Sequence, residues 1–226
     1  MSQHIFFILL DIPAEHEADF NKVYDTDHLP HMLQTPGVHD CIRYKLVWSD
    51  NPDMIHYLAL YHIDDPELPR SAAWKKQSTF GRWPTDIRRH VTQRRNGVYR
   101  QIFHADAAAS AGSPKDSLDS DFIYFLQQSI PGPMDMKFNE LYNGDHIPLM
   151  LQTPGAKCCT RYKLQYSDSG DVPDYLAIYA IADAETPHSA AWKKQTNLGA
   201  WPTQMRPHFT ARRNGVYRRI SVITRK

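Results

Sequence analysis

The heptapeptide Ser71–Gln77, SAAWKKQ, recurs unchanged at Ser189–Gln195, and Arg94–Arg100, RRNGVYR, recurs unchanged at Arg212–Arg218. Both pairs are separated by 118 positions, and this offset relates the whole stretch 4–103 to 122–221 without a gap. Copies of about one hundred residues are longer than solenoid repeats, which have about 20–50 residues, and long enough to be small domains. The sequence therefore predicts two related halves, residues 1–104 and 121–226, joined by a small, polar linker at 105–120.

Composition excludes several classes of function. The 226-residue chain has a net charge of +1, so it shows no electrostatic footprint for nucleic acid or an anionic membrane. The longest apolar run, Ile5–Leu10, is far short of a membrane span and lacks the flanks of a signal peptide. Arginines at 88–89 and 94–95 form the nearest approach to a basic patch, and a solvated strand edge is the better interpretation of them.

The three cysteines, Cys41, Cys158 and Cys159, make neither a disulfide framework nor a zinc-binding spacing. They are typical of reduced thiols in a cytoplasmic protein. The sequence also lacks the glycine-rich, Walker, nucleophile-elbow and HExxH motifs of nucleotide-binding proteins, serine hydrolases and zinc proteases. We therefore expect a cytoplasmic protein with no cofactor and no metal.

Each half has the same order of predicted elements. In the first half, the apolar run 4–12 predicts a strand, and a helical pattern then begins that should end around Pro30. Two strands are predicted at 38–48 and 55–63, a helix at 66–80, and a last strand at 91–103. The order βαββαβ is that of a ferredoxin-like unit, so the predicted fold class is α+β.

A ferredoxin-like sheet carries helices on one face only, and its bare apolar face must be buried. The simplest partner is the other half, which predicts two repeats packed sheet to sheet as an intramolecular eight-stranded α+β barrel with a small cavity inside. On the third strand, Tyr57, Ala59 and Tyr61 share one face, whereas Leu58 and Leu60 share the other. We expect the tyrosine face to line the cavity and the leucine face to lie under the helices.

One short motif points to a family. Tyr142-x3-His146-x-Pro148-Leu149 is followed by Pro154-Gly155 and an aromatic strand. This pattern resembles the EthD-like family of the dimeric α+β barrel superfamily. The first half departs from it at His31, where the second half has a leucine. The resemblance implies the barrel fold, while its relatives include cofactor-free monooxygenases, isomerases, cyclases, dehydratases and decarboxylases.

The repeated Asp-His pair is the candidate for chemistry. His28 and His146 are predicted at the end of the first helix of each half, where exposed carbonyls favour an imidazole that titrates near neutrality. They would act as general acid–base residues, tuned by Asp27 and Asp145, with His31 as a third member of the first half only. The alternatives are that His28 only caps the helix, and that His31 is a surface residue. A metal held by His28 and His31 lacks an evident third ligand.

Aromatic residues are the candidates for substrate contact. On the second strand Arg43 and Tyr44 must face opposite ways, and we expect Tyr44 to point into the cavity. Most such rings are core residues in ordinary proteins. The predicted substrate-binding set comprises phenols that orient a carbonyl or hydroxyl and two loop indoles that cover the cavity: Tyr24, Tyr44, Tyr57, Tyr61, Tyr142, Tyr162, Tyr175, Tyr179, Trp83 and Trp201.

These observations favour an enzyme. The leading hypothesis is a cofactor-independent lyase, dehydratase, decarboxylase or isomerase that acts on a small hydrophobic molecule, aromatic or polyketide-like, by histidine acid–base catalysis. One alternative is a cofactor-free monooxygenase of phenolic substrates, and another is a non-catalytic barrel that binds a small ligand. No nucleic-acid or membrane partner is expected, and a homodimer of the two-repeat chain is a further possibility.

Overall fold

A computed structural model describes residues 3–108 and 116–225. Eight antiparallel strands close into one barrel, with the helices on its outside. The first half contributes β1 (His4–Asp11), β2 (Val38–Trp48), β3 (Tyr57–Ile63) and β4 (Gln93–Asp106), and the second contributes β5 (Phe122–Ser129), β6 (Ala156–Tyr166), β7 (Tyr175–Ile181) and β8 (Ala211–Thr224). The order around the barrel is β1-β3-β2-β8-β5-β7-β6-β4. The predicted second strand is confirmed in its full extent.

Two seams join the halves: β2 pairs with β8, and β4 pairs with β6. β4 runs to Asp106 and thus enters the segment 105–120 predicted as linker. Residues 109–115 of that segment lie outside the described residues. Beyond them, Leu118 is fully buried and belongs to the barrel core, so the end of this connection closes one mouth of the barrel.

The first helical segment of each half is longer than expected. In the first half, α1 (Glu17–Val23) passes through a π-helical turn (Tyr24–His28) into α2 (Leu29–Met32), so the helix does not end at Pro30. Proline is tolerated there because it stands in the first turn of α2, where its missing N–H costs little. The second half repeats this with α4 (Asp135–Leu141), a π-turn (Tyr142–His146) and α5 (Ile147–Met150).

The second helical segment is shorter than predicted. It consists of α3 (Ala72–Gln77) in the first half and α6 (Ala190–Gln195) in the second, each capped by a serine hydroxyl that accepts a backbone N–H three residues on. The following loop forms a π-helical turn (Trp83–Ile87) in the first half and α7 (Trp201–Gln204) in the second. In the described residues no helix is both long and apolar enough to cross a membrane.

The prediction of inside and outside was wrong. Leu58 and Leu60 belong to the core inside the barrel, where Phe7 and Phe125 from the two halves meet at 6.4 Å between ring centroids. Tyr57, Ala59 and Tyr61 instead pack beneath the helices. Two sheets that face each other across about 10 Å need interdigitating aliphatic side chains to exclude water. The barrel interior is therefore a hydrophobic core, and the room for a ligand lies on its outer face.

Candidate functional site

Each half has a pocket between its helices and the outer face of its sheet. The first pocket has a volume of about 500 Å³. Its apolar and aromatic walls come from β1, the π-turn, α2, α3 and the loop after α3, and its arginines from the segment that leads into β4 and from the start of β4 itself. The lining residues are Ile8, Leu10, Tyr24, His28, Met32, Trp74, Ser78, Trp83, Arg88, Val91 and Arg94. The second pocket, of about 470 Å³, occupies the corresponding place in the second half.

His28 forms one wall of the first pocket. Its ring stacks on Trp83 with 4.8 Å between centroids and lies edge to face with Tyr24 at 4.9 Å. The side chain is 5% exposed, and its Nδ1 is buried with no hydrogen-bond partner among the described residues. His146 repeats the arrangement on Trp201, with 4.5 Å between the rings. The structure therefore brings three predicted residues of each half together: Tyr24, His28 and Trp83, or Tyr142, His146 and Trp201.

The protonation of His28 differs from the sequence expectation. Burial lowers the pKa of His28 to about 3, with smaller contributions from the positive charges of Arg88, His31 and Arg43. Burial likewise lowers the pKa of His146 to about 3. Because the helix continues past both residues, neither lies at exposed terminal carbonyls. Both rings are therefore neutral at neutral pH.

Asp27 has a contact other than the expected one with His28. Its Oδ1 accepts the backbone N–H of Arg82 at 2.8 Å, and Asp145 accepts that of Ala200 at 2.8 Å. Gly81 precedes Arg82 with φ +71°, and a Cβ there would collide with the Asp27 carboxylate. The carboxylate therefore fastens the π-turn to the loop that carries Trp83, which fixes the stacked pair.

His31 lies at the edge of the first pocket and is not one of its lining residues. Its ring is 5.7 Å from that of Phe80, which is 41% exposed. In the second half these positions hold Leu149 and Leu198. His31 is thus part of a half-exposed contact between α2 and the loop after α3.

The predicted tyrosines separate into three places. Tyr24 and Tyr61 share a contact between hydroxyls of 3.5 Å beneath the pocket, and Tyr142 and Tyr179 share one of 3.4 Å. Tyr57 and Tyr175 bind the carboxylates of Glu17 and Asp135, which also pair with Lys45 and Lys163. They fix α1 and α4 to the sheet and line neither pocket.

Tyr44 does point into the barrel, as predicted, but away from the pocket. Its hydroxyl donates to the carbonyl of Leu118 at 2.6 Å, and Tyr162 lies in the same interior core. Arg43 faces the helices instead, where Asp25 and Asn21 accept from its guanidinium at 2.6 and 2.7 Å. Tyr44 and Tyr162 are thus placed to support the fold and not the pocket.

Sequence reasoning missed two arginines. Arg88 and Arg94, interpreted as a solvated edge, both line the first pocket. Arg88 donates to the carbonyl of Ser78 at 2.9 Å, and Arg94 contacts the amide oxygen of Asn96 when that amide is oriented toward it. In the described part of the chain, neither has a carboxylate within ion-pair distance. The available signal was the recurrence of Arg94 in the unchanged segment RRNGVYR.

The second pocket differs in charge. Arg212, the counterpart of Arg94, lies 3.4 Å from the Asp50 carboxylate and 3.2 Å from the Tyr124 hydroxyl. Asp50 also accepts from Asn214 at 2.5 Å. This pocket is lined by further polar side chains, including Gln128 and Lys193. Both pockets therefore contain cations without a carboxylate partner among the described residues, Arg88 and Arg94 in the first and Arg206 and Lys193 in the second. Only the second pocket also contains a carboxylate, which pairs with Arg212.

Comparisons with known proteins identify the fold of the chain but not its family. No protein-family model matches the chain, and no curated protein matches it, so the EthD-like resemblance is not confirmed. An anthrone oxidase-like protein shares the fold with a TM-score of 0.68 and 11% identity, over 100% of this chain and 96% of its own. A protein described as a monooxygenase from Fusobacterium nucleatum gives 0.59 and 9%, over 99% and 95%.

A chlorite dismutase from Candidatus Nitrospira defluvii is also similar, with a TM-score of 0.55 and 12% identity, over 96% of this chain and 91% of that protein. At these identities the comparisons show a shared fold. The lyase or isomerase hypothesis was wrong as the leading one, because the similar proteins are named for oxidative reactions. The monooxygenase alternative agrees better with them.

Proposed function

We propose that the protein is a cofactor-independent oxidase or monooxygenase of a small phenolic molecule, and that the reaction takes place in the first pocket. One observation carries the proposal: the guanidiniums of Arg88 and Arg94 border an aromatic pocket that no carboxylate lines among the described residues. The names of the structurally similar proteins support an oxygen-dependent reaction.

The pocket is suited to a flat ring. Trp83 and Trp74 are 6% and 7% exposed and give it indole walls, and Tyr24 lies edge-on to Trp83 with 5.0 Å between centroids. A volume of about 500 Å³ is within the range of sites for small molecules. Apolar walls with a few polar groups favour an aromatic substrate with one or two hydroxyls or carbonyls over a sugar or a peptide.

The charges favour ionisation of that substrate. A nearby cation stabilises the anionic form of a phenol and lowers its pKa. His28 is neutral at neutral pH and can therefore accept a proton. Its low pKa arises mainly from burial without a counter-charge, and a bound phenolate would supply this charge. We infer that His28 takes the proton while Arg94 and Arg88 hold the resulting anion.

The anion is the species that oxygen can oxidise without a cofactor. For an anthrone-type substrate, a ring CH₂ becomes C=O. One atom of O₂ enters the product and the other leaves as water, so the four electrons come from the substrate. No external reductant is required for this balance. The protein contributes the proton acceptor, the cationic surroundings and a pocket that excludes bulk water.

An oxygen electrode tests this function. We expect oxygen uptake with anthrone or 1-naphthol, and one oxygen-18 atom in the product made under labelled oxygen. His28→Gln should lower kcat by about 100-fold or more, since general acid–base groups contribute about 10²–10⁴. The matched control His146→Gln should stay within about twofold. Conversion of the same substrates without oxygen uptake would contradict the proposal.

We also infer that the two halves, predicted as residues 1–104 and 121–226, are tandem ferredoxin-like repeats, with the connection between them beginning after β4 ends at Asp106 instead of at residue 105. The strand order β4-β1-β3-β2 of the first half recurs as β8-β5-β7-β6 in the second, which supports this interpretation. Co-expression of the two halves as separate chains should reconstitute the barrel. Failure of the halves to associate would show that the connection is required.

A further inference from the structure

A cluster of metal-ligating side chains lies at one end of the barrel, away from both pockets. His104 and Asp106 stand near the end of β4, and Cys158 stands near the start of β6, directly opposite Asp106 in the strand register. One ligand atom from each residue, an imidazole nitrogen, a carboxylate oxygen and a thiol sulfur, lies within 4.8 Å of the other two. None of the three lines either pocket.

The donor set is that of a transition metal. Nitrogen, oxygen and sulfur donors suit Zn²⁺, which binds Cys, His and carboxylates at about 2.0–2.3 Å. Three atoms bound to one ion at these distances lie about 3.3–3.8 Å apart, so ligand atoms separated by up to 4.8 Å must approach by up to about 1–1.5 Å when the ion binds. Two strands hydrogen-bonded to each other hold the residues, and this limits their freedom to separate.

We propose that His104, Asp106 and Cys158 bind one Zn²⁺ ion, with a water molecule in the fourth position, and that the ion fastens the two halves together at the β4–β6 seam. On binding, the Cys158 thiol loses its proton to solvent and coordinates as the thiolate. The ion replaces the direct contact of 3.3 Å between His104 Nε2 and the Asp106 carboxylate. This inference does not depend on the proposed function.

A neighbouring residue orients the imidazole for this role. Thr160 Oγ1 lies 2.9 Å from His104 Nδ1. When Nδ1–H donates to this hydroxyl, the lone pair of Nε2 is directed toward the cluster, which is the usual support of a histidine ligand.

The three proposed ligands differ in their exposure to solvent. Cys158 is fully buried, whereas the side chains of His104 and Asp106 are 23% and 56% exposed. An ion can therefore enter from solvent past Asp106 and reach the thiol. A thiolate protected on its inner side and a carboxylate at the mouth would hold the ion with one open position for water.

The other seam, between β2 and β8, serves as an internal comparison. The counterparts of His104, Asp106 and Cys158 there are Val222, Thr224 and Asp40, and the counterpart of Thr160 is Ile42. Valine and threonine do not replace the lost ligands. The proposal therefore predicts one ion per chain, at one of two otherwise equivalent seams.

Cobalt titration of the metal-free chain tests the site, because Co²⁺ bound to a thiolate gives a charge-transfer band in the near ultraviolet. We expect a band that saturates at one equivalent and is displaced by Zn²⁺. Zn²⁺ should also raise the thermal midpoint as its concentration increases, since it binds only the folded state. Absence of the band, or of any Zn²⁺-dependent change in midpoint, would overturn the proposal.

Variants identify the ligands. Cys158→Ala should remove the band, and the exposed Asp106→Ala, which leaves the core untouched, should weaken Zn²⁺ binding by at least tenfold. Thr160→Val should weaken binding by about tenfold, the lower end for loss of an outer-sphere partner. Thr224→Ala, at the equivalent position of the other seam, should bind as the wild type does. A band that persists in Cys158→Ala, or equal losses in Thr224→Ala and Asp106→Ala, would show that the ion binds elsewhere.

Discussion

The pockets of the two halves share a stacked histidine and tryptophan but differ in the state of one arginine. Arg94 in the first half has no carboxylate partner among the described residues, whereas Arg212 in the second lies 3.4 Å from Asp50. The histidines themselves are alike, with 5% and 6% exposure. Both halves therefore contain the buried, neutral imidazole, whereas only the second pairs this arginine with a carboxylate.

A single neighbour explains the difference. The counterpart of Asp50 is Asp168. Its carboxylate lies 2.9 Å from Arg70 and is not paired with Arg94. Arg70 also stacks on Tyr166, with its guanidinium carbon 3.4 Å from the ring centre. The second half has His188 and Trp48 in these places. Arg70, which does not line the pocket, thus pairs with the carboxylate whose counterpart in the other half pairs with Arg212.

The largest expected effect is loss of the free guanidinium. Arg94→Leu should lower kcat/KM for oxygen uptake by about 100–1000-fold, the usual cost of removing a group that stabilises developing negative charge. Arg212→Leu is the matched control and should change it by less than about threefold, because that charge is already paired. Equal losses in the two variants would remove the distinction between the pockets.

His28 and His146 should contribute equally to the loss of stability in acid. A histidine whose pKa falls from 6.5 to about 3 on folding binds no proton in the native state above that value. The buried histidine therefore does not reduce the free energy of unfolding above pH 6.5. Below that pH the histidine of the unfolded state binds a proton, and the free energy of unfolding falls. Each histidine should lower the free energy of unfolding by about 2 kcal/mol between pH 7 and 5.

Urea unfolding of His28→Gln and His146→Gln measures this loss. Each variant should remove about half of the excess acid sensitivity due to the pair, and the double variant should remove all of it. A wild-type stability that is flat between pH 7 and 5 would contradict the burial of neutral imidazoles. A loss confined to one variant would show that one pocket is more open than the other.

Substitution of Arg70, which does not line the first pocket, should weaken substrate binding there. Arg70→His releases Asp168, which can then pair with Arg94, and we expect kcat/KM to fall by about tenfold through a rise in KM. Asp168→Asn should not show this fall, since it leaves no carboxylate to pair. A decrease of the same size in both variants would mean that Arg70 acts through the fold.

The smallest expected effect concerns His31. His31→Leu copies the second half, where Leu149 stands, and it should change kcat by less than about twofold because the residue does not line the pocket. The measurement is oxygen uptake against pH, compared with Leu149→His in the other half. A loss of more than tenfold, or a shifted pH profile, would restore His31 to the catalytic group.

Much of the fold was predictable from repetition and periodicity. The alternation along β2 identifies a strand because it depends only on the local side-chain pattern. The offset between the halves extends the same assignment to the second half. The inside and outside of β3 could not be read in this way, since both of its faces are buried and both carry large apolar residues. Tyr57 and Tyr61 are polar enough for a cavity wall, yet their hydroxyls find partners beneath the helices.

The site was predictable in its aromatic and imidazole members and not in its charges. Tyr24, His28 and Trp83 were identified because the motif recurs in both halves. Arg94 could not be recognised as free, since its state depends on Asp168 and Arg70, which are distant in sequence. The pKa of His28 likewise depends on burial by a helix that continues past Pro30. These are tertiary effects that no local pattern contains.

The most direct test of the central claim is a crystal structure of the protein with 1-naphthol bound. We predict electron density for the ring between Trp83 and Trp74 in the first half, with its oxygen toward Arg94. Density inside the barrel against Leu60 and Tyr44, or in the second pocket alone, would contradict the assignment of the first pocket as the site of reaction.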